Sequence, residues 1–332
     1  MTSPESFCRA VLPQVSRTFA LNIPVLPEPL DLAVTIAYLL CRIADTLEDE
    51  ARAPAASRQK LFRELAHLTE LPPDWAARSR EFALGARACL RPEAPASEVE
   101  LLAGTPLVLE ALSHLGSWTH GPIHLCIQEM TDGMCQVMRT LESGGNQLGL
   151  SDLDQTLTYC YYVAGTVGEM LTDLFAEYSP AIAPQRQLLA PRAPAFGRAL
   201  QLTNILKDIR EDLERGSCWL PRREMARHGL TPETLLRREN RPAAVAFLDE
   251  MIGVARAEAD VALEYTLSVP SSEKGIRLFC IWPLFFAALT LRELRSNPGV
   301  FDSKPVKISR QAVQQVMAQT RQLVQSDRDL RA

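Results

Sequence analysis

Apolar residues recur at three- and four-residue steps along most of the chain, and this regularity limits the possible folds more than any other feature. Leu32, Ile36, Leu39, Leu40 and Ile43 follow it, as do Leu202, Ile205, Leu206 and Ile209. That spacing lays an apolar stripe along one helical face. Alternating patterns rich in β-branched residues are scarce, so no strand is expected. The 23 prolines fall mainly between the periodic stretches, as in PVLPEP (24–29), LPPD (71–74) and RPEAPA (91–96), where they punctuate helices. The spacing predicts helices over 29–49, 57–69, 75–89, 98–118, 122–142, 151–176, 195–214, 241–267, 274–295 and 309–326. Nothing between them reads as a linker. The expectation is one all-α domain over 1–332, with its core at about 16–295 and a basic segment and helix at 300–326. Gly144-Gly145-Asn146 reads as a loop after a helix rather than a phosphate cradle.

Composition narrows the class. With 47% hydrophobic residues, 23% charged and a net charge of -5, the chain has the makeup of a globular protein. The mild acidity argues against a nucleic-acid partner, whose binding face is basic. The longest apolar run, Leu278–Leu291, has 14 residues and contains a proline. A bilayer span needs about 20 apolar residues, so the run reads as a buried helix. No secretory signal or membrane anchor is read, and a cytoplasmic protein is expected. The eight cysteines form no CxxC and read as buried, reduced thiols.

Two acidic clusters carry the chemistry. Asp45, Glu48 and Asp49 lie at i, i+3 and i+4, and Asn204, Asp208 and Asp212 make one stripe over two turns. Like charges at this spacing repel, and acids at a helix C-terminus oppose its dipole. A hard cation would offset both effects. Mg²⁺ accepts one or two carboxylates and completes its shell with water and phosphate oxygens, so facing acidic stripes suit a diphosphate leaving group. Ser16, Arg17, Arg42, Lys207 and Arg215 stand nearby in sequence as candidate diphosphate ligands. His120 and His124 also stand at i, i+4, but Gly121 and Pro122 between them are expected to spoil a zinc-binding helical face.

These residues sit in segments that resemble the squalene/phytoene synthase family of head-to-head prenyl synthases. The matching stretches are SRTFAL (16–21), YLLCRIADTLEDE (38–50), YCYYVAGTVGEM (159–170), QLTNILKDIREDLERGSCWLP (201–221) and FCIWPLFFAAL (279–289). The resemblance implies an isoprenoid-synthase-type helical bundle around a central cavity. It implies prenyl diphosphate substrates, with two farnesyl diphosphates joined through presqualene diphosphate, and Mg²⁺ held by the two acidic motifs. Asp45, Asp49, Asp208 and Asp212 would be catalytic through that metal. Tyr159 matches the motif tyrosine credited with proton removal or cation stabilisation. Phe19, Val163, Leu171 and Phe279 become candidate walls of a dry cavity, since water would quench a carbocation. The segment VFDSKPVKISRQAV (300–313) resembles the squalene-synthase region that binds NADPH, which makes Lys304, Lys307 and Arg310 candidate cofactor ligands. There is no GxGxxG fingerprint, so NADPH would bind without a Rossmann unit. A phytoene or dehydrosqualene synthase without a reductant, or a presqualene diphosphate synthase, shares the first half-reaction. An insoluble product implies contact with a membrane face, and oligomeric state is not legible.

Overall fold

The computed structural model describes residues 3–50, 53–143 and 148–331, and Gly144-Gly145-Asn146 lies outside them. The chain is helical almost throughout. Its first part runs α1 (Pro4–Val15), α2 (Phe19–Asn22), α3 (Leu30–Glu48), α4 (Ala55–Leu68), α5 (Trp75–Cys89), α6 (Ala96–Ala103), α7 (Thr105–His114) and α8 (His120–Ser143). There follow α9 (Leu153–Cys160), a π turn at Tyr161–Gly165, α10 (Thr166–Tyr178), α11 (Arg186–Leu189), α12 (Ala193–Lys207) and α13 (Ile209–Glu214). The last are α14 (Arg222–Arg227), α15 (Arg241–Ser268), α16 (Lys274–Leu294), α17 (Arg310–Leu323) and α18 (Asp327–Arg331). Among the described residues the only extended pairing is an isolated parallel bridge between Leu150 and Pro221.

The expected all-α class is therefore observed, but several predicted helices divide. The 98–118 stretch breaks at Gly104, which separates α6 from α7. The 151–176 stretch holds the π turn, where the backbone takes in an extra residue without losing its apolar face. The 195–214 stretch breaks at Asp208, whose φ of -105° and ψ of 15° cap α12 and start α13. α1, α2 and α14 are short helices that the periodicity did not reveal.

The chain forms two compact units. The first takes residues 1–138 and 169–186, and the second takes 139–168 and 187–332. In the first, α3 is the central element, packed by α1, α4, α6 and α7. Leu30, Ala33, Ile36, Ala37, Leu39, Leu40, Ile43, Ala44 and Leu47 of α3 are all fully buried. An apolar surface nearly all round is what allows a helix to take a central position. In the second unit α12 packs against α15, α16 and the π turn. Close approach is possible because Gly197 has no side chain: a Cβ there would stand 2.0 Å from the Ala164 carbonyl oxygen of the π turn.

α16 has 21 residues and is apolar enough to cross a membrane by length and composition, yet 61% of its most apolar window is buried inside the protein. It is a core helix, as its sequence suggested, with Pro283 inside it. Trp282 is fully buried and donates to Thr320 Oγ1 of α17 at 2.8 Å. Arg277, 1% exposed, pairs with Asp327 of α18. All eight cysteines are free thiols and only Cys89 is part-exposed, in line with the sequence reading.

Candidate functional site

The first acidic motif closes α3. Glu48 is the last helical residue, and the Asp49 N–H donates to the Asp45 carbonyl at 3.0 Å, so both aspartates leave the same turn. Desolvation pushes Asp45 up to about 7, the Asp49 charge adds to the rise, and Arg42 opposes it. A carboxylate held this far from its ordinary range is poorly hydrated, and the single nearby cation, Arg42, only partly offsets the loss of water.

Three arginines manage the repulsion at this helix end. Arg42 lies one turn before Asp45 and ion-pairs with Glu98 of α6 at 2.9 Å. Arg58 of α4 donates to the Glu48 carbonyl at 2.9 Å, placing a cation where the helix dipole is negative. Arg91 clamps the buried Glu50 through its backbone N–H at 3.1 Å and its guanidinium at 2.5 Å. Arg58, Arg91, Glu50 and Glu98 were not picked out from sequence, because their partners are distant along the chain.

One turn before Arg42 on α3, Tyr38 meets the SRTF segment. Its ring lies 5.0 Å from that of Phe19, centroid to centroid, and its hydroxyl hydrogen-bonds with Ser16. Burial pushes the Tyr38 phenol up, while Ser16 and Arg42 pull it down. Ser16 also accepts the Phe19 N–H at 3.0 Å. Arg17 is exposed and makes no ion pair among the described residues. Tyr38 thus joins Ser16, Phe19 and Arg42 to the acidic motif. Its i−4 spacing from Arg42 was the sequence signal for it. Leu171 belongs to the same unit and is half-buried.

The second acidic motif straddles the break between α12 and α13. The Asp208 N–H donates to the Asn204 carbonyl at 2.9 Å, and the Asp212 N–H donates to the Asp208 carbonyl at 2.9 Å. The stripe of three side chains therefore follows a bent path rather than one straight helix. Lys207 lies within it, with Nζ 3.2 Å from Asn204 Oδ1 and 3.2 Å from Asp208 Oδ2. Desolvation raises Asp208 while Lys207 lowers it. Arg215 pairs with Glu211.

In the same unit Tyr159 is buried at the end of α9, with its ring stacked on Trp219 at 4.1 Å and 5° between planes. Val163 in the π turn and Phe279 on α16 are also buried. Lys304, Lys307 and Arg310 are exposed, and none makes an ion pair among the described residues. Arg310 opens α17, where a cation opposes the helix dipole.

Among the described residues no three His, Cys, Asp or Glu side chains gather into a cluster that could hold a metal alone. The donor set fits Mg²⁺ all the same. That ion needs only one or two carboxylates when phosphate oxygens complete its shell, and Asp45 is a desolvated carboxylate with a second acid one turn away. The histidine expectation needs a correction. Helix α8 runs through His120 and His124, because Gly121 and Pro122 fall in its first turn, where proline is tolerated. The two rings nonetheless serve other partners: His124 Nδ1 lies 3.0 Å from Thr69 Oγ1 and His120 Nε2 lies 3.0 Å from the Leu112 carbonyl oxygen.

Comparison with known proteins places the chain in a family. The squalene/phytoene synthase family model matches residues 12–312. The probable squalene synthase of Neurospora crassa is 28% identical over 325 residues, which cover 97% of this chain and 63% of that protein. The chain thus spans under two thirds of the length of this relative. The 15-cis-phytoene synthase of Enterobacter agglomerans is 37% identical over 142 residues, 43% of each chain. Among solved structures, TcSQS in complex with the ligand BPH1237 superposes with a TM-score of 0.77 at 26% identity, covering 98% of this chain and 92% of that one.

Proposed function

Because the chain belongs to the squalene/phytoene synthase family, we propose that it is a squalene synthase, joining two farnesyl diphosphates head to head through presqualene diphosphate and reducing the product with NADPH. The observation that carries this reading is the reach of the likeness. Similarity to squalene synthases runs over 97% of the chain, against 43% for the phytoene synthase.

In this reading the protein is one prenyl synthase domain. Asp45, Glu48, Asp49, Asn204, Asp208 and Asp212 would hold Mg²⁺, which when bound screens a diphosphate and stabilises it as a leaving group. Lys207, shared by Asn204 and Asp208, would offer its ammonium to phosphate oxygens as a point charge. Ser16, Arg17 and Arg42 in the first unit, and Arg215 in the second, would supply hydrogen bonds and positive charge to diphosphate oxygens. Phe19, Val163, Leu171 and Phe279 keep water from the allylic cation, and the two phenyl faces stabilise positive charge. Tyr159 orients the proton lost as the cyclopropane closes. A phenol near pKa 10 is a weak base alone, so the departing diphosphate is the acceptor that works with it. Lys304, Lys307 and Arg310 would grip the NADPH phosphates. The protein works in the cytoplasm, with its product leaving at a membrane face and without a nucleic-acid partner.

The phytoene or dehydrosqualene synthase reading is favoured by the 37% identity of the shorter match. Labelled farnesyl and geranylgeranyl diphosphates, each incubated with Mg²⁺ and with or without NADPH, separate the readings. Squalene formed from farnesyl diphosphate only when NADPH is present supports the proposal. A conjugated triene formed regardless of NADPH refutes it.

A further inference from the structure

Trp219 lies in the connector between α13 and α14, and three contacts fix its place. The backbone around it runs beside residues 150–151: the Leu150 N–H donates to the Leu220 carbonyl at 3.0 Å and the Arg222 N–H donates to the Leu150 carbonyl at 2.8 Å. Thr156 Oγ1 donates to the Trp219 carbonyl at 3.1 Å. Tyr159, one turn after Thr156 on α9, stacks its ring on the indole at 4.1 Å and 5°. One face of α9 therefore holds both the backbone and the ring of Trp219. Upstream, the Ser217 N–H donates to the Asp212 carbonyl at 2.8 Å, so the connector starts at the second acidic motif.

Stacking has a definite consequence for a phenol. The terminal torsion of a tyrosine is broad and roughly two-fold. An indole lying flat against the ring removes that freedom, because any rotation out of plane breaks the aromatic contact. The phenolic O–H bond prefers the ring plane, so fixing that plane restricts the directions in which the proton can point. Tyr159 is 3% exposed whereas Trp219 is half-buried, so the indole also covers the phenol.

We propose that Trp219 is a positioning residue for the condensation, setting the plane of the Tyr159 phenol and tying it through residues 212–219 to the second acidic motif. This rests on the proposed prenyl coupling. Trp219 acts on the reaction only through Tyr159, so a flat aromatic ring should suffice and an aliphatic side chain should not.

The full chain is tested as Trp219→Phe, Trp219→Leu and Trp219→Met. Farnesyl diphosphate consumption is expected to stay within about threefold of wild type in Trp219→Phe. In Trp219→Leu and Trp219→Met kcat should fall about 10²-fold with KM nearly unchanged, as for a misplaced catalytic group. All three should melt within a few degrees of wild type. An independent readout is the Trp219 emission, taken as the difference between wild type and Trp219→Phe. It should move to the red in Tyr159→Leu and stay in place in Tyr159→Phe. Wild-type kcat in Trp219→Leu overturns the proposal, as do equal losses in Trp219→Phe and Trp219→Leu. A wild-type chain inert towards every prenyl diphosphate overturns the proposed reaction and the positioning role together. That failure is told apart from loss of the stack by an emission shift in Tyr159→Leu that persists without turnover.

Discussion

Asp45 is charged at a cost. Its carboxyl is pushed up to about 7 from 3.8, so between those values the folded chain binds a proton that the unfolded chain has released. Stability then falls as pH rises through that window and levels off above about 7. The shift corresponds to about 4 kcal/mol at most, and roughly half that once water access to the part-exposed side chain is allowed for. Asp45→Asn should therefore raise the melting temperature of the metal-free protein at pH 8, with the gain shrinking towards pH 4. A gain that is constant across pH would rule out this origin. On the proposed metal role, Asp49→Asn and Asp212→Asn should each abolish turnover while circular dichroism shows the helices intact, because neither side chain belongs to the buried core. Near-native kcat at saturating Mg²⁺ in either variant would remove the metal role. The two acidic motifs could be read from sequence because their members are three or four residues apart. Arg58 and Arg91, which steady the first, could not, since each reaches its partner from a segment distant in sequence.

At the scale of elements, periodicity found the long helices and missed the places where they break. Leu202, Ile205, Leu206 and Ile209 keep helical spacing straight through the break at Asp208, because a change of axis does not alter which residues are apolar. The π turn was hidden for the same reason: YYVAG reads as helix, and only the added residue and the facing Gly197 distinguish it. The close approach of α12 to this turn gives a sharp test. A Cβ at residue 197 would stand 2.0 Å from the Ala164 carbonyl oxygen, which is backbone and cannot swing aside. Gly197→Ala should cost about 3 kcal/mol, near the top of the usual range for overpacking, and lower the melting temperature by several degrees. Gly121→Ala, where nothing lies within 4 Å, is the control and should be close to neutral.

At the scale of the whole molecule, the NADPH role proposed for the C-terminal basic segment separates the two readings. Lys304, Lys307 and Arg310 are exposed, with Arg310 at the positive end of α17. Replacing all three with Ala should leave farnesyl diphosphate consumption unchanged and cause presqualene diphosphate, or products of its unreduced cation, to build up. It should also weaken the salt dependence of NADPH binding. An unchanged yield of squalene would show that the cations do not serve the reductant. The order in which the chain visits its two units has a consequence for synthesis. Residues 139–168 belong to the second unit and 169–186 to the first. A ribosome therefore delivers part of the later unit before the earlier one can be finished, and the emerging chain must hold α9 and the π turn in waiting until α12, α15 and α16 arrive. For the same reason no single cut yields two fragments that each contain a complete unit. Recombining halves of the chain would succeed only if the pieces fold together.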